Sequence, residues 1–136
     1  GMEALALGGV IAALLPCTSL YLNKSFARAR DMIAHGIPVA VATDFNPGSC
    51  PSLNIGLCMT MAYLKYRMTP EEILSAVTVN AACAVNRAQS SGTIEPGKQA
   101  DMVIWNAEDM EMLCYRMGSN LAGTVIKNGA IVKNNI

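Results

Sequence analysis

The sequence predicts an α/β fold, a parallel strand–helix unit followed by a small β-rich tail. Two observations predict it. First, a run of small and branched apolar residues, Val39-Ala40-Val41-Ala42, follows at once on a clear helix stop. A strand of that composition suits burial on both faces, as in a parallel sheet covered by helices. Second, the chain changes character near Gln89, where polar turn residues give way to short β-rich segments.

Gly8 to Leu15 is an apolar run closed by Pro16, which predicts a buried strand and then a loop. Thr18 to Ser25 is polar and leads into a helix over 26–34. That helix carries His35 in its last turn, Gly36 as a left-handed cap and Pro38 just beyond, the usual order of stop signals. With the strand at 39–42, this makes one αβ unit with a short connection.

After the loop from Asp44 to Ser52, the stretch Leu53 to Lys65 is apolar on nearly every side, so it predicts a helix buried on more than one face. Thr69-Pro70-Glu71-Glu72 then predicts a strong helix start. Thr69 serves as N-cap, Pro70 stands in the first turn and Glu72 closes a capping box. Ile73, Leu74 and Val77 form its apolar stripe, and Asn80 is expected to cap a short helix carrying Ala81, Ala82 and Val85. Beyond Ser90-Ser91-Gly92, strands are expected at 102–105 and 123–132, the second broken by Asn128-Gly129, the preferred pair for a two-residue hairpin turn. The division falls at 88–92: an α/β part over 1–88 and a β-rich part over 89–136.

The 136 residues are enough for one core but well short of a barrel enzyme of roughly 250 residues. Ten basic and ten acidic side chains leave no net charge, which argues against nucleic acid or an acidic membrane surface as partner. Charged residues make up 15% of the chain, against about 25% in ordinary domains. So little polar skin fits a piece covered by further sequence or by another subunit. The apolar run from Ala4 to Leu15 lacks a basic leader and is too short to span a bilayer, and Gly1 ahead of Met2 reads as a residue left by cloning. Five widely spaced cysteines without a CxxC pair read as small core residues in a reducing cytoplasm.

Asp44 stands where the apolar strand ends and the chain turns. Carboxyl ends of parallel strands are where α/β folds collect reactive groups. The carboxylate there suits a metal ion or a proton transfer, and it equally suits a plain loop cap. Asn46, Gly48 and Ser49 share the ambiguity: Asn and Ser offer donors and acceptors to a ligand and Gly allows close approach, yet Pro47-Gly48 is also an ordinary type II turn. His35, the one histidine, lies at a helix end that faces the other side of the sheet from Asp44. No Ser–His–Asp order, phosphate loop or basic stripe is present.

The run Val41-Ala42-Thr43-Asp44-Phe45-Asn46-Pro47-Gly48-Ser49, followed by Met68-Thr69-Pro70-Glu71-Glu72, closely resembles the imidazolonepropionase family of the amidohydrolase superfamily. Gly92-Thr93-Ile94-Glu95-Pro96-Gly97-Lys98-Gln99-Ala100-Asp101-Met102-Val103-Ile104-Trp105 is similar to the stretch in which amidohydrolases return from barrel to small β domain. Thr124-Val125-Ile126-Lys127-Asn128-Gly129 is similar to their closing hairpin. The resemblance implies the C-terminal slice of a metal-dependent (β/α)8 barrel, strands 7 and 8 with their helices, plus the end of the β domain. It implies hydrolysis of the ring C–N bond of 4-imidazolone-5-propanoate to N-formimidoyl-glutamate in histidine degradation, with one Zn²⁺ or Fe³⁺ ion. Asp44 matches the family's metal-binding and catalytic Asp at the end of strand 8; Asn46, Gly48 and Ser49 match positions that contact the small-molecule substrate. The family's His-x-His pair and its remaining ligand have no counterpart here, so the chain alone is expected to be inactive and to hold no metal. The competing expectations are a non-catalytic scaffold or assembly remnant, and a small-molecule binding module built on the Asn46–Ser49 loop. Open strand edges predict a homo-oligomer, or pairing with the missing part of the barrel.

Overall fold

The computed structural model describes residues 1–134. Its centre is a two-stranded parallel sheet of β1 (Ala12–Leu14) and β2 (Val39–Val41), in register from Ala12 opposite Val39 to Leu14 opposite Val41. All three residues of β2 are buried, as a strand covered on both faces requires. The expected strand over 8–15 is shorter than its apolar run. Met2–Leu7 forms a helix, α1, and Gly9 turns the chain at positive φ, so pairing starts only at Ala12.

Pro16 opens a helix instead of a loop. In α2 (Pro16–Tyr21) its missing N–H falls in the first turn, where no intrahelical partner exists anyway. The polar lead-in expected over 18–25 is therefore partly helical, and α3 (Ala29–Ala34) starts later than its pattern suggested. Phe26, expected inside that helix, lies ahead of it. It meets Tyr66 edge-on at 6.0 Å between ring centroids, with the Lys65 ammonium 5.6 Å from its own ring. Gly36 follows at φ 73, a left-handed position that glycine reaches without Cβ strain. The stop signal and strand β2 stand as the sequence predicts.

Helix α4 (Ile55–Tyr66) has five successive buried residues from Cys58 to Ala62, so it is indeed enclosed on several sides. Helix α5 (Pro70–Val77) carries the full capping box: the Glu72 N–H donates to Thr69 Oγ1, and the Thr69 N–H donates to the Glu72 carboxylate. Its innermost residues are Ile73 and Ala76, while Leu74 and Val77 lie at the margin. The N-cap of α6 (Val79–Ala84) is Thr78, not Asn80. Asn80 instead donates its side-chain amide to the carbonyl of Val39 at 2.9 Å, tying α6 to the start of β2. Val85, expected on that helix, is its exposed C-cap.

The tail forms an antiparallel sheet of β3 (Met102–Trp105), β4 (Ala122–Lys127) and β5 (Ala130–Asn134), in the order β3-β4-β5. Asn128 and Gly129 join β4 to β5 with φ of 50 and 79, the two positive values that a type I′ turn needs. Between β3 and β4 the sequence hid a short helix, α7 (Met110–Tyr115), capped by Asp109 through the Met112 N–H. It packs on α4 and α5, and its Leu113 and Cys114 join the main apolar core with Val39, Val41, Met59, Tyr66 and Ile73.

Candidate active site at the strand ends

The parallel register ends both central strands level with each other, and the Ala42 N–H donates to the Leu14 carbonyl as the last link between them. Beyond this point the two chains part, β1 into α2 and β2 into the loop of Asp44. Asp44 is half-buried and holds φ of 54, in the left-handed region that L-residues other than Asn and Asp seldom enter. Its Oδ2 accepts two hydroxyl hydrogen bonds, from Thr18 Oγ1 at 2.9 Å and from Ser49 Oγ at 3.1 Å. No hydrogen bond among the described residues engages Oδ1. One oxygen is thus tied down and the other left available.

Asn46 organises the loop. Its Oδ1 accepts the N–H groups of Gly48 at 2.9 Å and Ser49 at 2.8 Å. Its Nδ2 donates to the Asp44 carbonyl at 2.7 Å and to Ser49 Oγ at 2.6 Å. Both amide hydrogens and both lone pairs of Asn46 are therefore used inside the loop. Backbone bonds between Asn46 and Cys50, at 3.0 and 3.2 Å, close it. The expected type II turn at Pro47-Gly48 is not formed, because Gly48 lacks the positive φ such a turn needs and the left-handed residue is Asp44. Pro47 and Gly48 are exposed at the tip, with Phe45 beside them, while Ser49 is half-buried.

His35 is exposed at the end of α3, its Nδ1 2.7 Å from the Asp31 carbonyl, before β2 begins, whereas Asp44 follows the strand. The histidine is thus at the opposite end of the strand, as the sequence predicts. Thr18 joins the site from 26 residues away, and no sequence signal pointed to it.

The donor set can be weighed against a metal ion. A half-buried carboxylate with one oxygen fixed and the other unbonded suits a single ligand. No group of three or more His, Cys, Asp or Glu side chains among the described residues is placed to hold a metal ion. A catalytic ion generally takes three protein ligands. Asp44 thus fits as one contributor, and this part of the chain does not complete a coordination sphere.

Cys17, Cys50 and Cys58 are all buried, with the Cys17 and Cys58 sulfurs 3.3 Å apart. Burial pushes both of these thiols up from their ordinary value. Four of the five cysteines are buried, as packing residues are, while Cys83 is only half-buried.

A parallel strand–helix unit with a carboxylate at its strand end, joined to a small antiparallel sheet, is a sector of the (β/α)8-barrel fold. Solved structures share it. Atrazine chlorohydrolase from Arthrobacter aurescens complexed with zinc superposes with a TM-score of 0.87 at 24% identity, covering 98% of this chain and 33% of that one. An adenosine deaminase from Xanthomonas campestris with bound zinc gives 0.87 at 22% identity, covering 98% and 34%. At that identity the likeness is one of fold alone. The amidohydrolase family model matches residues 2–132, and the chain belongs to that family. Imidazolonepropionase from Bacillus thuringiensis (strain Al Hakam) is 52% identical over 132 residues, which are 96% of this chain and 31% of that protein. The chain thus spans about a third of the length of the curated relatives it matches. No helix among the described residues is long and apolar enough to cross a membrane.

Proposed function

We propose that this chain forms the strand-7 and strand-8 sector, with the adjoining β sheet, of a cyclic amidohydrolase that opens the ring C–N bond of 4-imidazolone-5-propanoate. The observation that carries this is the state of Asp44: a carboxylate at the open end of β2, one oxygen held by two hydroxyls and the other unbonded. The 52% identity to imidazolonepropionase over nearly the whole chain supports the substrate.

In this reading Asp44 supplies one ligand to a zinc or iron ion whose other ligands lie outside this sequence. Such an ion, when bound, would supply a water made nucleophilic near neutral pH. Asp44 orients that water and accepts its proton. Asn46, Gly48 and Ser49 form the substrate-facing rim. Gly48 is exposed there, Ser49 passes a hydroxyl between Asn46 and Asp44, and Asn46 sets the shape of the loop. β1 and β2 each leave one edge unpaired within this two-stranded sheet, and the partner proposed for those edges is the remainder of the barrel.

The test is complementation. The chain is mixed with the remaining portion of a Bacillus imidazolonepropionase and zinc, and the absorbance of the imidazolone is followed. Restored hydrolysis that Asp44→Asn abolishes supports the proposal. A complex that assembles and stays inactive overturns it and favours a scaffold.

A further inference from the structure

We infer that Thr18 is a positioning residue for Asp44, its hydroxyl holding one carboxylate oxygen so that the other stays free for the ligand. The inference rests on the proposed role of Asp44 and extends it to a residue in a different element.

Placement follows from the fold. Leu14 and Val41 end their strands opposite one another, so the segments after them leave from the same edge of the sheet. Pro16 starts α2 immediately, which sets Thr18 in the first turn of that helix, four residues past Leu14; Asp44 is three past Val41. The Thr18 hydroxyl therefore reaches Asp44 from the neighbouring strand end, at 2.9 Å. Among the described residues, the Asp44 carboxylate is the one hydrogen-bond partner of the Thr18 side chain.

The chemistry is directional. A hydroxyl donating to a carboxylate makes a charge-assisted bond, stronger than one between neutral groups. Ser49 donates to the same oxygen, at 3.1 Å, from the Asp44 side of the loop. Two donors, one from α2 and one from the loop, converge on Oδ2, which restrains the carboxylate's rotation and leaves Oδ1 without a partner among the described residues. Ser49 belongs to the loop it would brace, so it moves when Asp44 moves. Thr18 is anchored independently, by α2 on α4. A group that only orients a ligand typically changes metal affinity or activity by about 10–100-fold when lost.

Thr18→Val keeps the shape and removes the donor; Thr18→Ser keeps the donor. Each variant chain is crystallised alone, and each is also assembled with the complementing barrel portion, where zinc affinity is read by chelator competition and kcat and KM by imidazolone hydrolysis. We expect Thr18→Val to split Asp44 into more than one side-chain conformer, to weaken zinc by at least about 10-fold and to lower kcat by a similar factor, with KM within about 2-fold. Thr18→Ser should restore a single conformer, the zinc affinity and kcat. Thr18→Val with unchanged zinc affinity overturns the inference, as does Thr18→Ser no better than Thr18→Val. If the unmodified complex takes up no zinc, the proposed function falls and the crystal structures decide for Thr18: one unchanged Asp44 conformer in Thr18→Val overturns its positioning role.

Discussion

Asn46 holds Asp44 by its backbone, donating Nδ2 to the Asp44 carbonyl at 2.7 Å, while Ser49 and Thr18 hold it by its carboxylate. The two kinds of restraint separate under mutation. Asn46→Ala frees the N–H groups of Gly48 and Ser49 and the Asp44 carbonyl together. In a partly solvent-exposed loop this should cost about 1–2 kcal/mol, read as a lower urea midpoint. The Ser49 N–H should lose its protection from hydrogen exchange in the same variant. An unchanged midpoint with full protection would show that the loop is held by its Asn46–Cys50 backbone bonds alone.

Asp44 itself is in a conformation that costs most L-residues roughly 1–2 kcal/mol. Asp44→Gly and Asp44→Ala both delete the carboxylate, so they lose the same hydrogen bonds, but only glycine takes φ of 54 without strain. Asp44→Gly should therefore be the more stable of the two by about 1 kcal/mol, while neither supports hydrolysis in the complemented barrel. Equal stability would mean that the left-handed backbone is relieved in the alanine variant. The Asn46 and Ser49 hydrogen bonds around Asp44 over-determine this backbone conformation.

These two variants also mark how far the sequence could be read. The αβ unit was legible because its signals are local and redundant: His35, Gly36 and Pro38 stop one element, and Thr69, Pro70 and Glu72 start another. The Asn128-Gly129 turn was legible for the same reason. Helices α1, α2 and α7 escaped because six residues give little periodicity and none of the three is followed by both a glycine and a proline, as the equally short α3 is by Gly36 and Pro38. Pro16 was also ambiguous, since proline both ends strands and begins helices. Asp44 stands out by its place after an apolar strand, but its left-handed backbone carries no sequence signal, and the Pro47-Gly48 pair points to a type II turn that does not form. Thr18 could not be found, because its contact with Asp44, 26 residues further on, depends on the register of two strands.

In the tail, Asp101 accepts the backbone N–H of Asn128 at 2.9 Å and pairs with the Lys127 ammonium, and the Ala100 carbonyl accepts the Gly129 N–H at 2.9 Å. The segment before β3 thus clasps the turn between β4 and β5. The Lys127 ammonium first, and the Asn128 N–H second, hold the Asp101 carboxyl below its ordinary value. A depressed carboxyl contributes stability above its unfolded pKa and loses it as pH falls through the folded one. Asp101→Asn should therefore lower Tm by a few degrees at neutral pH, with a difference that shrinks as both proteins are acidified below the usual carboxylate range. A Tm gap that stays constant on acidification would place the effect elsewhere.

Alkaline conditions act on the core instead. Burial pushes the Cys114 thiol from 9.0 up to about 11 and the Tyr66 phenol from 10.0 up to about 12, and it raises Cys58 as well. Each of these groups is neutral when protonated, so folding favours the protonated form. The unfolded chain releases its Cys114 proton near its ordinary value, while the folded chain keeps it for about two further pH units. Stability is therefore complete below about pH 9 and falls as pH rises through the folded value near 11. Urea unfolding should give a flat free energy from about pH 7 to about pH 9 and a steady decline above it. Cys114→Ala removes one of the titrating groups at the cost of a small cavity, so it should start less stable and decline less steeply. A slope identical to that of the unsubstituted chain would show that Cys114 keeps no proton through folding, and that α7 does not seal this part of the core.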